Sequence, residues 1–338
     1  MRTLLAAFLG AVAIANAGDK PACDRACLDK IADQYLDALV ANDASKAPIA
    51  KTAKFTENGQ RLEVGDGLWN TASAKGTYTL HVDDPGDGQA LVYTTIREAG
   101  AGAILLARLR VEKGKITEIE TEVSRSPKAA ENLEKMGGPR KALLENIPEG
   151  ERASREDLVH IANMYFSGLE RNDGKGDYPF ADDCDRIENG THTTNNKNFV
   201  TGSLLATTPG TAPTDGARNT SPINPSAMGC MEQFRTGYFH FVTRIRDRRW
   251  LVVDQQKGIA FAFAFFDHAA GKARTFKLSD GREISTGPTR PFTLEIGEMF
   301  KVRGNKIHEV EAVLNDVPYG MISGWDANWQ DAMSSRAR

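Results

Sequence analysis

The stretch Ile31-Ala32-x-x-Tyr35-x-x-x-Leu39-x-x-Asn42-Asp43 recurs 130 residues later as Ile161-Ala162-x-x-Tyr165-x-x-x-Leu169-x-x-Asn172-Asp173. Two further motifs repeat in the same order. Glu57-Asn58-Gly59 returns as Glu188-Asn189-Gly190, and Val111 with Lys115-Ile116-x-Glu118 returns as Val302 with Lys306-Ile307-x-Glu309. A repeat of this length indicates one structural unit present twice.

The spacing between the copies grows from 131 to 191 residues between the last two motifs, so the second copy contains 60 additional residues. Polar segments of weak periodicity near 191–229 and 269–291 are the expected insertions. The length of 338 residues also fits two domains. We predict domain 1 over 18–128, a helical linker over 129–152, and domain 2 over 153–338.

The hydrophobic periodicity indicates the fold class. Ile31, Tyr35 and Leu39 have helical spacing, as do their counterparts in the second copy, where Ser154 and Asp157 form an expected capping box. The later segments alternate as strands do, most clearly from Ile259 to Phe265. A helix followed by an antiparallel meander predicts an α+β unit, in which a curved sheet encloses a cone-shaped pocket.

The amino terminus predicts export. Arg2 precedes an apolar run from Leu4 to Ile14, and Ala15-Asn16-Ala17 has the small-x-small pattern of a cleavage site, so we interpret residues 1–17 as a signal peptide. No later stretch is long and apolar enough for a membrane helix. We expect a periplasmic or extracellular protein that does not bind a membrane.

Export permits disulfides between the four cysteines, for which three pairings are possible. We favour Cys23–Cys27 and Cys184–Cys230, because each bond then lies within one domain. The short loop between Cys23 and Cys27 requires Cys23 to lie outside regular helix.

The composition and the missing motifs argue against three kinds of function: binding of nucleic acid, use of a nucleotide cofactor and use of a metal. The net charge of −3 and the pI of about 6.1 provide no basic excess for nucleic acid. The sequence contains no Gly-rich phosphate loop, no Gly-x-Ser-x-Gly elbow, no His-Glu-x-x-His and no Cys-x-x-Cys. We therefore expect neither a nucleotide cofactor nor a metal.

The repeated helix motif, Phe55-Thr56-Glu57-Asn58-Gly59 at the first strand, and the final Lys-Ile-x-Glu strand resemble the nuclear-transport-factor-2-like superfamily, of SnoaL-like type. The sequence resembles secreted two-copy members with domains of unknown function, in which Phe265-Phe266-Asp267-His268 is typical of the second copy. The resemblance implies two tandem cone-shaped domains. It does not select an activity, because the superfamily includes isomerases, dehydratases, cyclases, lyases and proteins that only bind.

An apolar pocket without a cofactor suits acid–base chemistry by desolvated carboxyl, phenol or imidazole groups. We predict Tyr165, His240, Asp267 and His268 as catalytic residues, with Tyr165 as oxyanion donor. The predicted substrate-binding residues are Asp185, Glu188, Arg244, Phe261, Phe263 and Phe265. The first insertion, Thr191 to Gly229, is expected to close over this pocket.

Structural roles are open for the same residues. Tyr165 and the phenylalanines could be core residues, Glu188 could bond the following turn, and Asp267-His268 could cap a strand.

Two functions are consistent with these features of the sequence. The first is a secreted, cofactor-independent lyase, dehydratase or isomerase that acts on a small hydrophobic molecule, aromatic or polyketide-like, in domain 2, with domain 1 degenerate. The second is a non-catalytic exported binding or dimerisation protein. In either case the two copies could pair as a pseudo-dimer within one chain, or the chain could form a homodimer. We expect the small side chains of Ala260, Ala262 and Ala264, on one face of a strand, to allow close contact between the paired sheets.

Overall fold

The computed structural model describes residues 23–198, 224–270, 274–277, 281, 283–286 and 290–326. The predicted signal peptide and much of the two predicted insertions lie outside the described residues. No helix in the described part of the chain is long and apolar enough to cross a membrane.

Domain 1 begins with a long helix that is followed by strands. Within residues 23–124 the elements are α1 (Arg25–Val40), β1 (Ile49–Glu57), β2 (Gln60–Leu62), β3 (Ala72–Asp84), β4 (Gln89–Glu98), β5 (Ala101–Glu112) and β6 (Lys115–Ser124), with 3-10 turns at Ala44–Lys46 and Gly67–Asn70. Two short helices follow before domain 2, α2 (Pro127–Lys135) and α3 (Lys141–Leu144), and then a 3-10 turn at Glu149–Glu151.

Domain 2 repeats this order and adds to it. Its elements among the described residues are α4 (Arg155–Arg171), β7 (Phe180–Glu188), β8 (Thr191–His192), a 3-10 turn at Pro225–Ala227, α5 (Cys230–Thr236), β9 (Arg244–Asp254), β10 (Ile259–His268), β11 (Arg274–Lys277), β12 (Glu283–Thr286), β13 (Phe292–Arg303) and β14 (Lys306–Val317). The hairpin of β11 and β12 has no counterpart in domain 1, and α5 stands where domain 1 has the short 3-10 turn Gly67–Asn70.

The two main sheets have the same topology. Their strand orders are β2-β1-β6-β5-β4-β3 and β8-β7-β14-β13-β10-β9, and in each the first long strand pairs in parallel with the last. The remaining neighbours are antiparallel. The prediction of two tandem α+β domains, each with helices packed on a mostly antiparallel sheet, is confirmed.

The repeated polar residues have structural functions. Asp24 and Ser154 cap α1 and α4. The Ser154 hydroxyl accepts from the Asp157 N–H as the predicted capping box requires, but the Asp157 carboxylate bonds that hydroxyl in place of the Ser154 backbone N–H. Asn189 adopts a positive φ of 45° at the turn after β7, where its amide both donates to the Leu314 carbonyl and accepts from the Leu314 N–H. Asn58 bonds Val123 of β6 in the same way. This asparagine therefore fixes the parallel strand pair in both copies.

The long helices α1 and α4 each pack on the inner face of their own sheet, and the outer faces of the two sheets pack on each other. The inner core of domain 2 includes Ala260, Ala262 and Ala264 of β10, whereas Phe261 and Phe263 of the same strand lie in a third core between the sheets. The expectation that the alanine face forms the sheet contact is therefore wrong. Both faces of β10 are buried, so alternation alone could not distinguish inner from outer.

Polar contacts also join the domains. Arg249 of β9 pairs with Glu120 of β6, and the Tyr78 hydroxyl donates to Glu311 of β14 over 3.0 Å. After β14 the chain crosses to domain 1, where the Trp325 indole N–H donates to the Thr56 hydroxyl over 2.8 Å.

Both predicted disulfides are confirmed, with Cα–Cα distances of 5.3 Å for Cys23–Cys27 and 5.9 Å for Cys184–Cys230. Cys23 precedes α1, as the short loop requires. Cys184–Cys230 ties α5 to β7. The two bonds suggest an oxidising, extracellular compartment.

Candidate active site in domain 2

Tyr165 lies at the centre of the domain 2 interior. The helical periodicity of α4 turns its side chain toward the sheet, where its ring packs edge-on against Phe180 at 6.0 Å and Phe300 at 5.0 Å and at a tilt against Phe234 at 5.0 Å. Burial raises the pKa of the Tyr165 hydroxyl well above its ordinary value, so the group remains a neutral donor.

A buried cation lies beside this ring. The Arg186 guanidinium of β7 is 5.4 Å from the Tyr165 ring centre and 5.4 Å from that of Phe239. It donates to the Gln233 side-chain oxygen over 2.7 Å and pairs with the Glu188 carboxylate. Burial lowers the pKa of Arg186, but Tyr165 and the nearby carboxylates raise it by more, so the guanidinium is charged.

Glu298 of β13 completes the cluster. It is 2 % exposed and bonds the Tyr165 hydroxyl. Burial raises its pKa to about 8; the Arg186 charge opposes this shift and the Glu188 charge adds to it. Because Glu188 already balances the charge of Arg186, Glu298 keeps its proton at neutral pH.

Two polar atoms of this cluster have no hydrogen-bond partner among the described residues. They are Oε2 of Glu298 and Nε of Arg186, both buried. Buried polar atoms are rarely left unpaired in folded proteins, so such atoms mark places where a water molecule or a ligand completes the bonding. The cluster can therefore offer a carboxyl oxygen and a guanidinium N–H to a bound molecule.

Domain 1 lacks this chemistry. Tyr35 occupies the position of Tyr165, but Phe55 replaces Arg186 and Ala107 replaces Glu298 in the repeat, as the strand registers show. The Tyr35 ring packs against Trp69, and its buried hydroxyl has no partner among the described residues. The interior of domain 1 is apolar where that of domain 2 carries an arginine and a carboxyl group.

The two candidate histidines lie away from this cluster, in an aromatic group at the end of β10. His268 stacks on Phe292 at 4.2 Å and on Phe241 at 6.0 Å. Burial lowers its pKa to about 4, so the imidazole is neutral. The Nδ1 atom of His240 lies 3.2 Å from the Tyr238 carbonyl oxygen. The Phe239 ring contacts Phe241 of this aromatic group on one side and the Arg186 guanidinium on the other.

Asp267 and Arg244 are on the opposite side of the sheet. Asp267 accepts from Arg244 at 2.6 Å, from Arg246 at 3.0 Å and from the Thr293 hydroxyl at 2.7 Å. Burial raises its pKa, but these hydrogen bonds lower it overall, so Asp267 is a paired carboxylate. The expectation that it shares a pocket with Tyr165 is wrong, because successive residues of a strand face opposite sides.

The phenylalanines of β10 are also on the outer face. Phe261 and Phe263 contact each other between the sheets, and Phe265 lies beneath Arg246, 4.8 Å from its guanidinium. None of the three faces the interior that Tyr165 occupies, so they do not line that space with it as expected.

Asp185 is outside the cluster as well. It alternates with Arg186 along β7 and accepts from the Thr194 hydroxyl over 2.6 Å, while His192 Nδ1 lies at 2.8 Å. These two hydrogen bonds outweigh burial and lower its pKa to about 2. Of the predicted residues, the structure thus brings Tyr165 and Glu188 together.

Sequence reasoning missed Arg186, Gln233 and Glu298. The available signal was a difference between the copies: a charged residue in domain 2 where domain 1 has Phe55 or Ala107. Gln233 gave no such signal, because no repeated motif near α5 aligns that helix with domain 1. Across the described residues, no three His, Cys, Asp or Glu side chains converge as a metal site requires.

Comparison with solved structures gives likenesses to single domains. A protein of unknown function from Cytophaga hutchinsonii, described as NTF2-like, is 11% identical over 28% of this chain and 88% of its own, with a TM-score of 0.24. A protein from Sinorhizobium meliloti, provisionally described as a polyketide cyclase, is 22% identical over 28% of this chain and 97% of its own, with a TM-score of 0.22. At these values the likenesses say nothing about activity.

No curated protein matches the sequence. A family model described as a domain of unknown function, DUF8021, matches residues 22–123 and 151–314. These two segments contain both copies of the repeat and cover most of the chain. The chain therefore belongs to the DUF8021 family.

Proposed function

We propose that domain 2 is a cofactor-independent acid–base catalyst of the lyase, dehydratase or isomerase class, secreted and acting on a small hydrophobic molecule. The observation that carries this proposal is Glu298, a buried carboxyl group with a pKa of about 8 and one oxygen without a partner among the described residues. A carboxyl group whose pKa lies near ambient pH can both give and accept a proton during a reaction.

The neighbouring groups support this role. The Tyr165 hydroxyl bonds the carboxyl group of Glu298 and so holds its orientation. Arg186 supplies a fixed positive charge in an apolar surrounding, where a developing oxyanion on a substrate is stabilised far more than in water. Arg186 is itself held by Glu188 and Gln233. The roles are Glu298 as proton carrier, Tyr165 as its hydrogen-bond donor and Arg186 as the oxyanion contact.

Proton transfer can be tested before the substrate is identified. The protein is incubated in D₂O with a panel of small aromatic and alkyl carbonyl compounds, and deuterium incorporation at carbon is followed by NMR. We expect Glu298→Gln to lower the exchange rate about 10²–10⁴-fold, the usual contribution of a general acid or base.

Two matched controls are available. Glu295→Gln changes another buried carboxyl group of β13 whose pKa is also raised to about 8, but on the outer face, and Tyr35→Phe changes the domain 1 counterpart of Tyr165. Both should keep the wild-type rate. Equal exchange in Glu298→Gln and wild type would reject the assignment. Binding of panel members without any exchange would favour the non-catalytic binding function.

A further inference from the structure

A groove of about 570 Å³ runs along α4 and is lined by Phe180, whose ring also contacts Tyr165. Small-molecule sites commonly have volumes of about 300–1,000 Å³. The floor is formed by apolar and aromatic side chains from α4, the segment before β7, and α5: Ile161, Met164, Tyr178, Pro179, Phe180 and Met231.

One wall of this groove is specific to domain 2. Met231 belongs to α5, where domain 1 has only the short 3-10 turn Gly67–Asn70, and the adjacent Cys230 is bonded to Cys184 of β7. The disulfide therefore holds the wall in place. Met231 and Met164 have flexible, polarizable side chains that adapt to apolar ligands of different shape.

The rim is polar and carries more negative than positive charge. Asp157 and Asp177 are exposed carboxylates, Lys306 is the ammonium group among the lining residues, and His160 and Asn305 are the other polar side chains that line the groove. Asp157 accepts from the Ser154 hydroxyl through one oxygen. An apolar floor below two carboxylates and one ammonium group complements a ligand with an apolar body and a positive charge.

We propose that this groove binds a small organic cation, an amine carried on an aromatic or branched alkyl body. The site is separate from the Glu298 cluster and does not depend on its acid–base function. Recognition comes from burial of the apolar body against the six floor residues and from attraction of the ammonium group to Asp157 and Asp177.

Three probes with one aromatic body separate these contributions: 2-phenylethylamine, 2-phenylethanol and phenylacetate, which at pH 7 are positive, neutral and negative. Their affinities for the mature protein are measured by NMR titration. We expect the amine to bind about twofold to fivefold more tightly than the alcohol, the effect of one exposed ion pair, and the acid to bind weakest.

Variants assign the preference to the groove. Asp177→Asn, in an exposed loop, should reduce the preference for the amine, and Asp157→Asn/Asp177→Asn should abolish it without weakening the alcohol. Met231→Ala should weaken all three probes. Asp182→Asn, an exposed carboxylate of β7 outside the groove, is the matched control and should bind as wild type does.

Several results would overturn the proposal. They are the absence of binding by all three probes at millimolar concentration, an unchanged order of affinities in the double variant, or no effect of Met231→Ala. None of these results concerns deuterium exchange, so the acid–base function would stand or fall separately.

Discussion

Leu106 and Gly297 occupy the same position of the repeat and meet where the two sheets pack. A Cβ atom on Gly297 would overlap the Cδ2 atom of Leu106 and lie 2.9 Å from Oε2 of Glu122. The large residue of domain 1 therefore fills the space left by the small residue of domain 2. If domain 1 packed on another domain 1, two leucines would meet at this position, and if domain 2 packed on another domain 2, two glycines would meet. We therefore propose that this pair favours packing of domain 1 on domain 2 within one chain.

Adding a methyl group at this contact should destabilise the protein. We expect Gly297→Ala to lower the free energy of unfolding by about 1–3 kcal/mol, the usual cost of overpacking a core. Leu106→Ala in the same chain should restore part of that loss, and a double-mutant cycle by urea denaturation measures the coupling. Gly150→Ala, where a Cβ meets no atom within 4 Å, is the control. Additive effects of Gly297→Ala and Leu106→Ala would contradict the contact.

Glu295 should make stability dependent on pH. It is buried on the outer face of β13, and burial together with the Glu120 charge raises its pKa from 4.5 to about 8, against the opposing charge of Arg249. Between these pH values the folded protein holds a proton that the unfolded chain releases. The contribution of Glu295 to stability is therefore present below about pH 4.5 and is lost as pH rises through 8.

We expect Glu295→Gln to reduce the decline in unfolding free energy between pH 5 and pH 9, and to be more stable than wild type at pH 9. Glu298 and Asp83 also have pKa values of about 8, so part of the decline remains. Urea denaturation across this pH range measures the effect. Glu63→Gln, at an exposed position, should leave the wild-type curve unchanged. An unaltered slope in Glu295→Gln would show that its proton is not retained.

The repeat was enough to predict the fold, because a recurring residue such as Tyr165 or Asn189 has the same structural task in both copies. The helix caps and the strand meander follow from such local signals, and both disulfides follow from the domain division that the repeat defines. The assignment of the two faces of β10 could not be predicted, since Phe261 and Ala262 are equally buried. Only the packing of one sheet on the other decides which face meets the helix.

The site was harder to predict than the fold for a related reason. Residues that are identical in the two copies are those that the fold requires. They include Tyr165 and Glu188 of the site, but also Asn189, whose role is structural. Arg186 and Glu298 are visible only as differences from Phe55 and Ala107. Their proximity depends on pairing between β7, β14 and β13, which brings together residues more than 100 positions apart in the sequence.

The two disulfides should differ in their contribution to stability. Cys184–Cys230 closes 46 residues and Cys23–Cys27 closes four. Loop entropy then gives about 4 kcal/mol for the first and about 2 kcal/mol for the second. We expect Cys184→Ser/Cys230→Ser to lower the melting temperature more than Cys23→Ser/Cys27→Ser does, as measured by calorimetry. The reverse order would mean that contacts around α1 outweigh the entropy of the longer loop.

Arg186 and Glu188 should be strongly coupled. Arg186→Met alone leaves the Glu188 carboxylate, 13% exposed, without the guanidinium that balances it. Removing one partner of a buried ion pair costs about 3–5 kcal/mol, whereas removing both is often close to neutral. We therefore expect Arg186→Met to destabilise strongly and Arg186→Met/Glu188→Gln to recover most of the loss in urea denaturation. Lys128→Met/Glu131→Gln, at an exposed ion pair, should change stability by less than about 1 kcal/mol.

The folded variant Arg186→Met/Glu188→Gln should still lack proton transfer, because the positive charge that faces a developing oxyanion is gone. A double variant as unstable as Arg186→Met would show that Arg186 stabilises the domain through its contacts with the Tyr165, Phe234 and Phe239 rings rather than through its charge.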